Sequence, residues 1–257
     1  MSDPAREEVR ARTSVLAGSI TRTPPARLGV AVVADLVAAI VTGELAPGDI
    51  LPPEGVLSQN FGVSRTVIRE SVKRVEEKGL VTVAQGRGTS VNSPAAWNVL
   101  DPVVLSALVD HDDTLGVLDE LSVIRGSLEA SMAAAAATRQ TPDRTRELEK
   151  AFEETELNID DFGRYNEADA RFHYVVMEQS GNRLAANITR ILFARARESA
   201  RFTGTPGPAA MHLTLDEHRA VLEAITRGDS EGAAKAMSDH ITLAWLRRRP
   251  ANHRSDL

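Results

Sequence analysis

The sequence predicts a mainly helical chain in two parts, three helices closed by a β-hairpin followed by an all-α antiparallel helical bundle. Three observations carry that reading. The chain is 257 residues long, more than one average domain, with 42% hydrophobic but only 4% aromatic residues, a composition that favours Ala- and Leu-rich helices over sheets. Apolar residues recur at helical spacing almost throughout, and the exception is a pair of short β-prone pieces, Leu80–Ala84 and Thr89–Val91, around Gln85-Gly86-Arg87-Gly88. Finally, a segment with two prolines, residues 93–103, separates two stretches of opposite charge. Residues 1–92 carry 11 Lys and Arg against 10 Asp and Glu, whereas the remainder carries 19 against 26, although the whole chain is at −6. A local excess of three positive charges lies within Ser64–Arg87, so the smaller part can face a polyanion while the acidic part faces away.

Taken in order, residues 1–26 lack periodicity and end in Thr23-Pro24-Pro25, which predicts an N-terminal arm. A first helix over about Gly29–Val41 places Val30, Val33, Val37, Ile40 and Val41 on one face. A second follows Pro52-Pro53 and ends at Gly62. The Ser64 hydroxyl caps a third, which runs to about Lys78 and stops at Gly79. Helix, helix, tight turn, helix and hairpin over 27–92 is the order of a winged helix-turn-helix. Beyond the 93–103 linker, the unit 104–249 reads as helices near 101–110, 114–139, 142–159, 162–179, 183–202, 214–227 and 229–248, with a short tail at 250–257. The chain has no cysteine, so any metal must be held by nitrogen and oxygen. The N-terminus has no apolar signal segment, and the most apolar stretch is too short to span a bilayer; a cytoplasmic location away from membranes is expected.

On the third helix Ile68, Val72 and Val75 form an apolar seam, flanked by Arg65, Arg69 and Lys73 at i, i+4 and i+8 with Thr66 alongside. Solvated charges on any amphipathic surface helix look the same. The preceding turn and the following Gly-Arg-Gly tip decide for a helix that enters a major groove, where arginine bonds guanine and Ser64, Thr66 and Lys73 hold phosphates. One such helix reads few bases, so a homodimer on a two-fold double-stranded operator is expected.

Residues 28–91 resemble the GntR family of bacterial regulators. The resemblance is carried by Gly43-Glu44-Leu45, Pro47-Gly48, Leu51-Pro52-Pro53-Glu54, Gly62-Val63-Ser64-Arg65, Val67-Ile68-Arg69-Glu70, Gly79-Leu80-Val81 and Gly86-Arg87-Gly88-Thr89. It implies DNA contacts from Ser64, Arg65, Thr66, Arg69 and the wing tip at Gly86. The chain departs from the family at Gly55, where a basic or polar residue is usual; Arg87 or an arginine of the N-terminal arm is expected to compensate.

In the second unit, Asp169 and His173 are i and i+4 on one helix. Thr214 and Glu217 read as a capping box opening the helix that carries His218. His218 lies ten residues before Gly228 and His240 twelve after it, so an antiparallel hairpin sets them side by side. One carboxylate and three imidazoles meeting in a bundle suit Zn(II), with Ni(II) or Mn(II) as alternatives. Residues from Asp119 to Leu246 resemble the FCD effector-binding domain of the FadR subfamily, through Glu120, Arg125, Leu128, Glu129, Asp169-x-x-Phe172-His173, Ser180-Gly181-Asn182, Glu217-His218, Gly228-Asp229 and His240-Ile241. The resemblance implies that Asp169, His173, His218 and His240 are metal ligands and that the effector is a small carboxylate such as a hydroxy acid or sugar acid. Arg125, Arg247 and Thr214 are the candidate effector contacts; Arg125 pairing with Glu129 at i+4, or Arg247 in a solvated terminal run, is the plainer account of those arginines. A metal-dependent enzyme acting on a small organic acid is the competing function. It would need Glu217 as a base over the metal, and adjacency to His218 points Glu217 away from it. A purely structural metal is the third reading.

Overall fold

The computed structural model describes residues 25–198 and 207–249. Residues 1–24 of the N-terminal arm, the tail and the predicted end of the helix near residue 202 lie outside the described residues, and the last two residues assigned to the arm, Pro25 and Ala26, already belong to the first helix. The first unit is α1 (Pro25–Val41), α2 (Glu54–Asn60), α3 (Arg65–Glu77) and strands β1 (Val81–Ala84) and β2 (Gly88–Val91). The buried face of α1 is Val32, Val33, Leu36, Val37 and Ile40. The predicted stripe is therefore rotated, and Val30 is exposed because α3 and the helix at Pro102–Asp110 pack on α1 from the other side. On α3, Ser64 accepts a hydrogen bond from the Val67 amide at 3.4 Å, and Ile68, Val72 and Val75 are buried as the spacing predicts.

Strands β1 and β2 pair antiparallel with Val81 opposite Val91, and Arg87 N–H closes the turn onto the Ala84 carbonyl. The segment before α2 adds a third edge, through Leu51 N–H to Thr89 O, Val91 N–H to Asp49 O and an Ile50–Ser90 bridge. Sequence reading misses that edge because prolines and a glycine at 47, 48, 52 and 53 leave too short a run between turn signals.

The segment at 93–103 is not a free tether. Its 3-10 turn (Pro94–Ala96) packs so closely on Gly79, at φ 78°, that a Cβ there would stand 2.2 Å from the Ala96 carbonyl oxygen. Asn98 N–H donates to Lys78 O, Trp97 packs on the core of the first unit, and Lys78 Nζ reaches Asp101 at 2.5 Å. Asp101 also accepts from the Val103 and Val104 amides, capping α4 (Pro102–Asp110). Val104 belongs to the first unit's core, while Leu105 and Val109, on the opposite face, join a cluster of the second unit.

The second unit consists of α5 (Gly116–Ala137), α6 (Pro142–Leu157), α7 (Phe162–Ser180), α8 (Arg183–Glu198), α9 (Pro208–Thr226) and α10 (Ser230–Arg248). Helix α5 is central and packs against α7, α8, α9 and α10; α6 packs on α7 and α9 on α10. The alanines 133, 136 and 137 of α5 are buried against Ala233, Met237 and Ile241, so small side chains permit close approach. Together the described residues form the mainly α fold with a hairpin wing that the sequence predicts. One boundary is corrected: α9 begins at Pro208, with proline at its first position. Thr214 lies inside the helix and donates to the Ala210 carbonyl, so the Thr214–Glu217 pair is not a capping box.

Candidate metal centre and nucleic-acid interface

The predicted DNA-facing residues Ser64, Arg65, Thr66, Arg69, Lys73, Gly86 and Arg87 are all exposed on one unit. A groove between α3 and the wing is lined by Glu54, Arg69, Lys73, Glu76, Gly86 and Thr89 among others. Arg69 is held by Glu54 of α2. At Gly55 the departure has a structural counterpart: the Arg65 guanidinium occupies the space beside it, 3.2 Å from where a Cβ would stand.

In the bundle, helix spacing stacks Asp169 and His173 on α7, and the α9–α10 hairpin brings His218 and His240 to meet them. The four side chains are nearly fully buried. His240 Nε2 lies 3.1 Å from His218 Nε2 and 3.2 Å from His173 Nε2, and Asp169 Oδ1 lies 3.6 Å from His218 Nε2. The far nitrogens explain this orientation. His173 Nδ1–H donates to Glu129 Oε2 at 2.6 Å and His240 Nδ1–H to Glu217 Oε2 at 3.1 Å. A carboxylate partner fixes the proton on Nδ1 and leaves the Nε2 lone pair facing inward. His218 stacks on Phe172, and its buried Nδ1 has no hydrogen bond, so its polar engagement is through Nε2. His173 and His240 thus turn unprotonated Nε2 atoms towards each other at 3.2 Å, an arrangement that a cation between them relieves. Around an ion with nitrogen ligands at about 2.0–2.1 Å, neighbouring donors would lie roughly 2.9–3.4 Å apart; both His240 distances fall in that range and Asp169 stands just outside it, so the three imidazoles fit a transition metal.

The carboxylates respond to these neighbours. Burial alone would raise the Glu129 pKa, but the Arg125 charge and the His173 contact outweigh it and hold it at about 2. Asp169 is likewise pushed below the usual range, against its burial, by His218 and the other imidazoles. Burial drives His218 well below the ordinary imidazole value and lowers His240. Neutral imidazoles and ionised carboxylates are the forms that ligate.

Beside the imidazoles is a cavity lined by Arg125, Thr214, Arg248, Phe193, Trp245 and Ser122, with apolar residues of α5 and α10. Arg125 both pairs with Glu129 and places its guanidinium 3.7 Å from the Phe193 ring centre, so the i+4 pairing and the cavity placement hold together. Thr214 lines the cavity. Arg247 does not: its guanidinium is engaged by both oxygens of Glu217 and by Thr214. Arg248 is the cavity arginine that sequence reading passes over in favour of its neighbour Arg247, because packing decides which of two adjacent helix positions faces inward. Glu217 lies on the far side of His240 from the other imidazoles and bonds its Nδ1; this histidine partner was visible only in three dimensions. His111 bonds the Ala107 carbonyl at the surface, His212 is exposed, and His253 lies outside the described residues.

Comparison with known proteins matches residues 28–91 to the bacterial regulatory proteins of the gntR family and residues 120–243 to the FCD domain. The galactonate operon transcriptional repressor of Escherichia coli K12 is 32% identical over 197 residues, covering 77% of this chain and 86% of that one. The HTH-type transcriptional repressor NanR of Klebsiella aerogenes is 28% identical over 234 residues, 88% of each chain. The solved structure of Lar, which controls the expression of the Listeria monocytogenes agr system, shares the fold at TM-score 0.53 and 19% identity, over 90% of this chain and 98% of Lar. These relatives are regulators, not enzymes, which removes the metalloenzyme alternative. No helix among the described residues is long and apolar enough to cross a membrane. The chain belongs to the GntR family of DNA-binding transcription regulators, in the group that carries an FCD domain.

Proposed function

We propose that this regulator is a cytoplasmic, homodimeric repressor whose affinity for a two-fold operator is set by a small hydroxy acid or sugar acid at a metal site formed by Asp169, His173, His218 and His240. The observation that carries this reading is the convergence of three imidazole Nε2 atoms, those of His173 and His240 with their lone pairs turned inward, beside a cavity lined by Arg125 and Arg248. A bound divalent ion, Zn(II) first and Ni(II) or Mn(II) next, supplies open coordination positions to an oxygen ligand. Arg125 and Arg248 attract the effector's carboxylate, and Ser122 and Thr214 offer hydroxyl groups to its own. The name of the galactonate operon repressor points to the same chemistry in a relative. On the DNA side, Arg65 and Arg69 read bases while Ser64, Thr66, Lys73, Gly86 and Arg87 hold the backbone.

The test is metal analysis followed by operator titration with and without a panel of hydroxy acids beginning with galactonate. His218→Ala should lower bound metal while His111→Ala should not, and complete chelation should abolish the effector response without abolishing operator binding. Full metal occupancy in His218→Ala, or a response undiminished by chelation, refutes the linked site.

A further inference from the structure

The DNA-facing surface contains one acidic residue in an unexpected place. Glu54, the first residue of α2, sends Oε1 to Arg69 Nε at 3.2 Å and Oε2 to Arg69 Nη2 at 3.1 Å, bridging residues fifteen apart in sequence. Both side chains are well exposed, 71% for Arg69 and 43% for Glu54. An exposed pair of this kind contributes little to folding, and a carboxylate on a surface that meets phosphates opposes binding. Stability and attraction to DNA therefore both fail to account for it.

Its geometry offers an account. A guanidinium has two hydrogen-bonding edges, a side edge made by Nε and one Nη, and an end edge made by the two Nη groups. Glu54 occupies the side edge of Arg69. The end edge is the one left to meet the paired acceptors O6 and N7 of a guanine. The Arg65 guanidinium occupies the space over Gly55, the residue that follows Glu54. A longer side chain at position 55 would compete for that space.

We propose that Glu54 is a positioning residue for sequence reading: it holds Arg69 by its side edge so that the end edge addresses a guanine, and it keeps Arg69 from acting as a general phosphate contact. The proposal rests on α3 being the recognition helix. Glu54 then costs some affinity for DNA of any sequence and returns discrimination between sequences.

The experiment uses the full chain with two probes, a duplex enriched from a random library by the wild-type protein and a scrambled duplex of the same length, each titrated over a salt series. Glu54→Gln keeps the shape and removes the charge. It should bind the scrambled duplex about twofold or more tighter, and the ratio of selected to scrambled affinity should fall about tenfold. Glu54→Asp, too short to span both nitrogens of Arg69, should fall between wild type and Gln. In an Arg69→Ala background, Glu54→Gln should change the ratio by less than twofold. An unchanged ratio in the single variant overturns the proposal. So does an equal fall in the Arg69→Ala background, which would mean that Glu54 reads a base itself. Failure of the underlying reading looks different: Arg65→Ala with Arg69→Ala would then leave binding to the selected duplex untouched.

Discussion

Replacing Glu129 by Gln tests whether the metal position is built from behind. Glu129 is buried and accepts from Arg125 Nε at 2.8 Å and from His173 Nδ1–H at 2.6 Å. Arg125 and His173 bond different oxygens of Glu129, and a glutamine keeps an acceptor at only one of those positions, so it cannot serve both. If the oxygen stays with Arg125, the NH2 confronts His173, whose proton then moves to Nε2 and covers the ligating lone pair. If the oxygen turns to His173, Arg125 loses its counter-charge. Breaking a buried ion pair from one side costs about 3–5 kcal/mol of folding stability. Loss of a carboxylate behind a metal-bound histidine typically costs 10–100-fold in metal affinity. Urea unfolding of the metal-free protein measures the first effect, and competition with a chelator for Zn(II) measures the second. Lower stability with Zn(II) affinity within twofold of wild type would refute the reasoning, since Glu129 would then serve Arg125 alone.

Two further predictions follow from burial and from the joint between the units. In chelated protein, burial holds His218 well below the ordinary imidazole pKa and lowers His240. The unfolded chain then takes up protons that the folded chain refuses, so stability is flat above about pH 7 and falls as pH drops below about 6.5, with a limiting slope of roughly 1.4 kcal/mol per pH unit for each fully suppressed imidazole. Urea midpoints between pH 8 and pH 5.5, above the carboxylate range, should show this, and a level profile would contradict it. Lys78→Met removes the tie to Asp101 but leaves the amide bonds by which Asp101 caps α4. Operator affinity without effector should change little, whereas an effector response of the usual 1–3 kcal/mol should shrink; an unchanged response in operator titrations would exclude the tie as a link.

Most of this architecture was legible in local pattern. The seam of Ile68, Val72 and Val75, the Ser64 cap and the glycines of the wing each impose structure within a few residues, and periodicity alone fixed them. Asp169 and His173 were legible for the same reason, and His218 and His240 because a hairpin turn at Gly228 relates them by counting. What escaped depends on packing between distant segments. The partners of His173 and His240 come from α5 and α9, and no spacing rule links Glu129 to His173 across 44 residues. The start of α9 was misplaced because Thr214 and Glu217 imitate a cap, while Pro208, read as a breaker, is the first helical residue. Arg247 and Arg248 are neighbours on a helix, and their rotation by about 100° relative to each other is settled only by what lies on each side.

The segment read as a linker changes what coupling requires. A flexible tether would leave the two units without a packed connection inside the chain. Here one nine-residue helix, α4, belongs to both cores. Its Val104 is buried with the residues that support α3, and its Leu105 and Val109 are buried with Leu118, Leu121, Phe193 and Trp245. Those last four also line the cavity beside the imidazoles. Close-packed interiors do not deform smoothly, so a ligand that moves the Phe193 or Trp245 wall must either be absorbed within that cluster or shift α4. A shift of α4 carries its capping residue Asp101, and with it Lys78, the residue that ends α3. If an effector binds in that cavity as proposed, these contacts would give it purchase on the angle of α3. They would do so within one subunit, before any rearrangement between subunits is invoked.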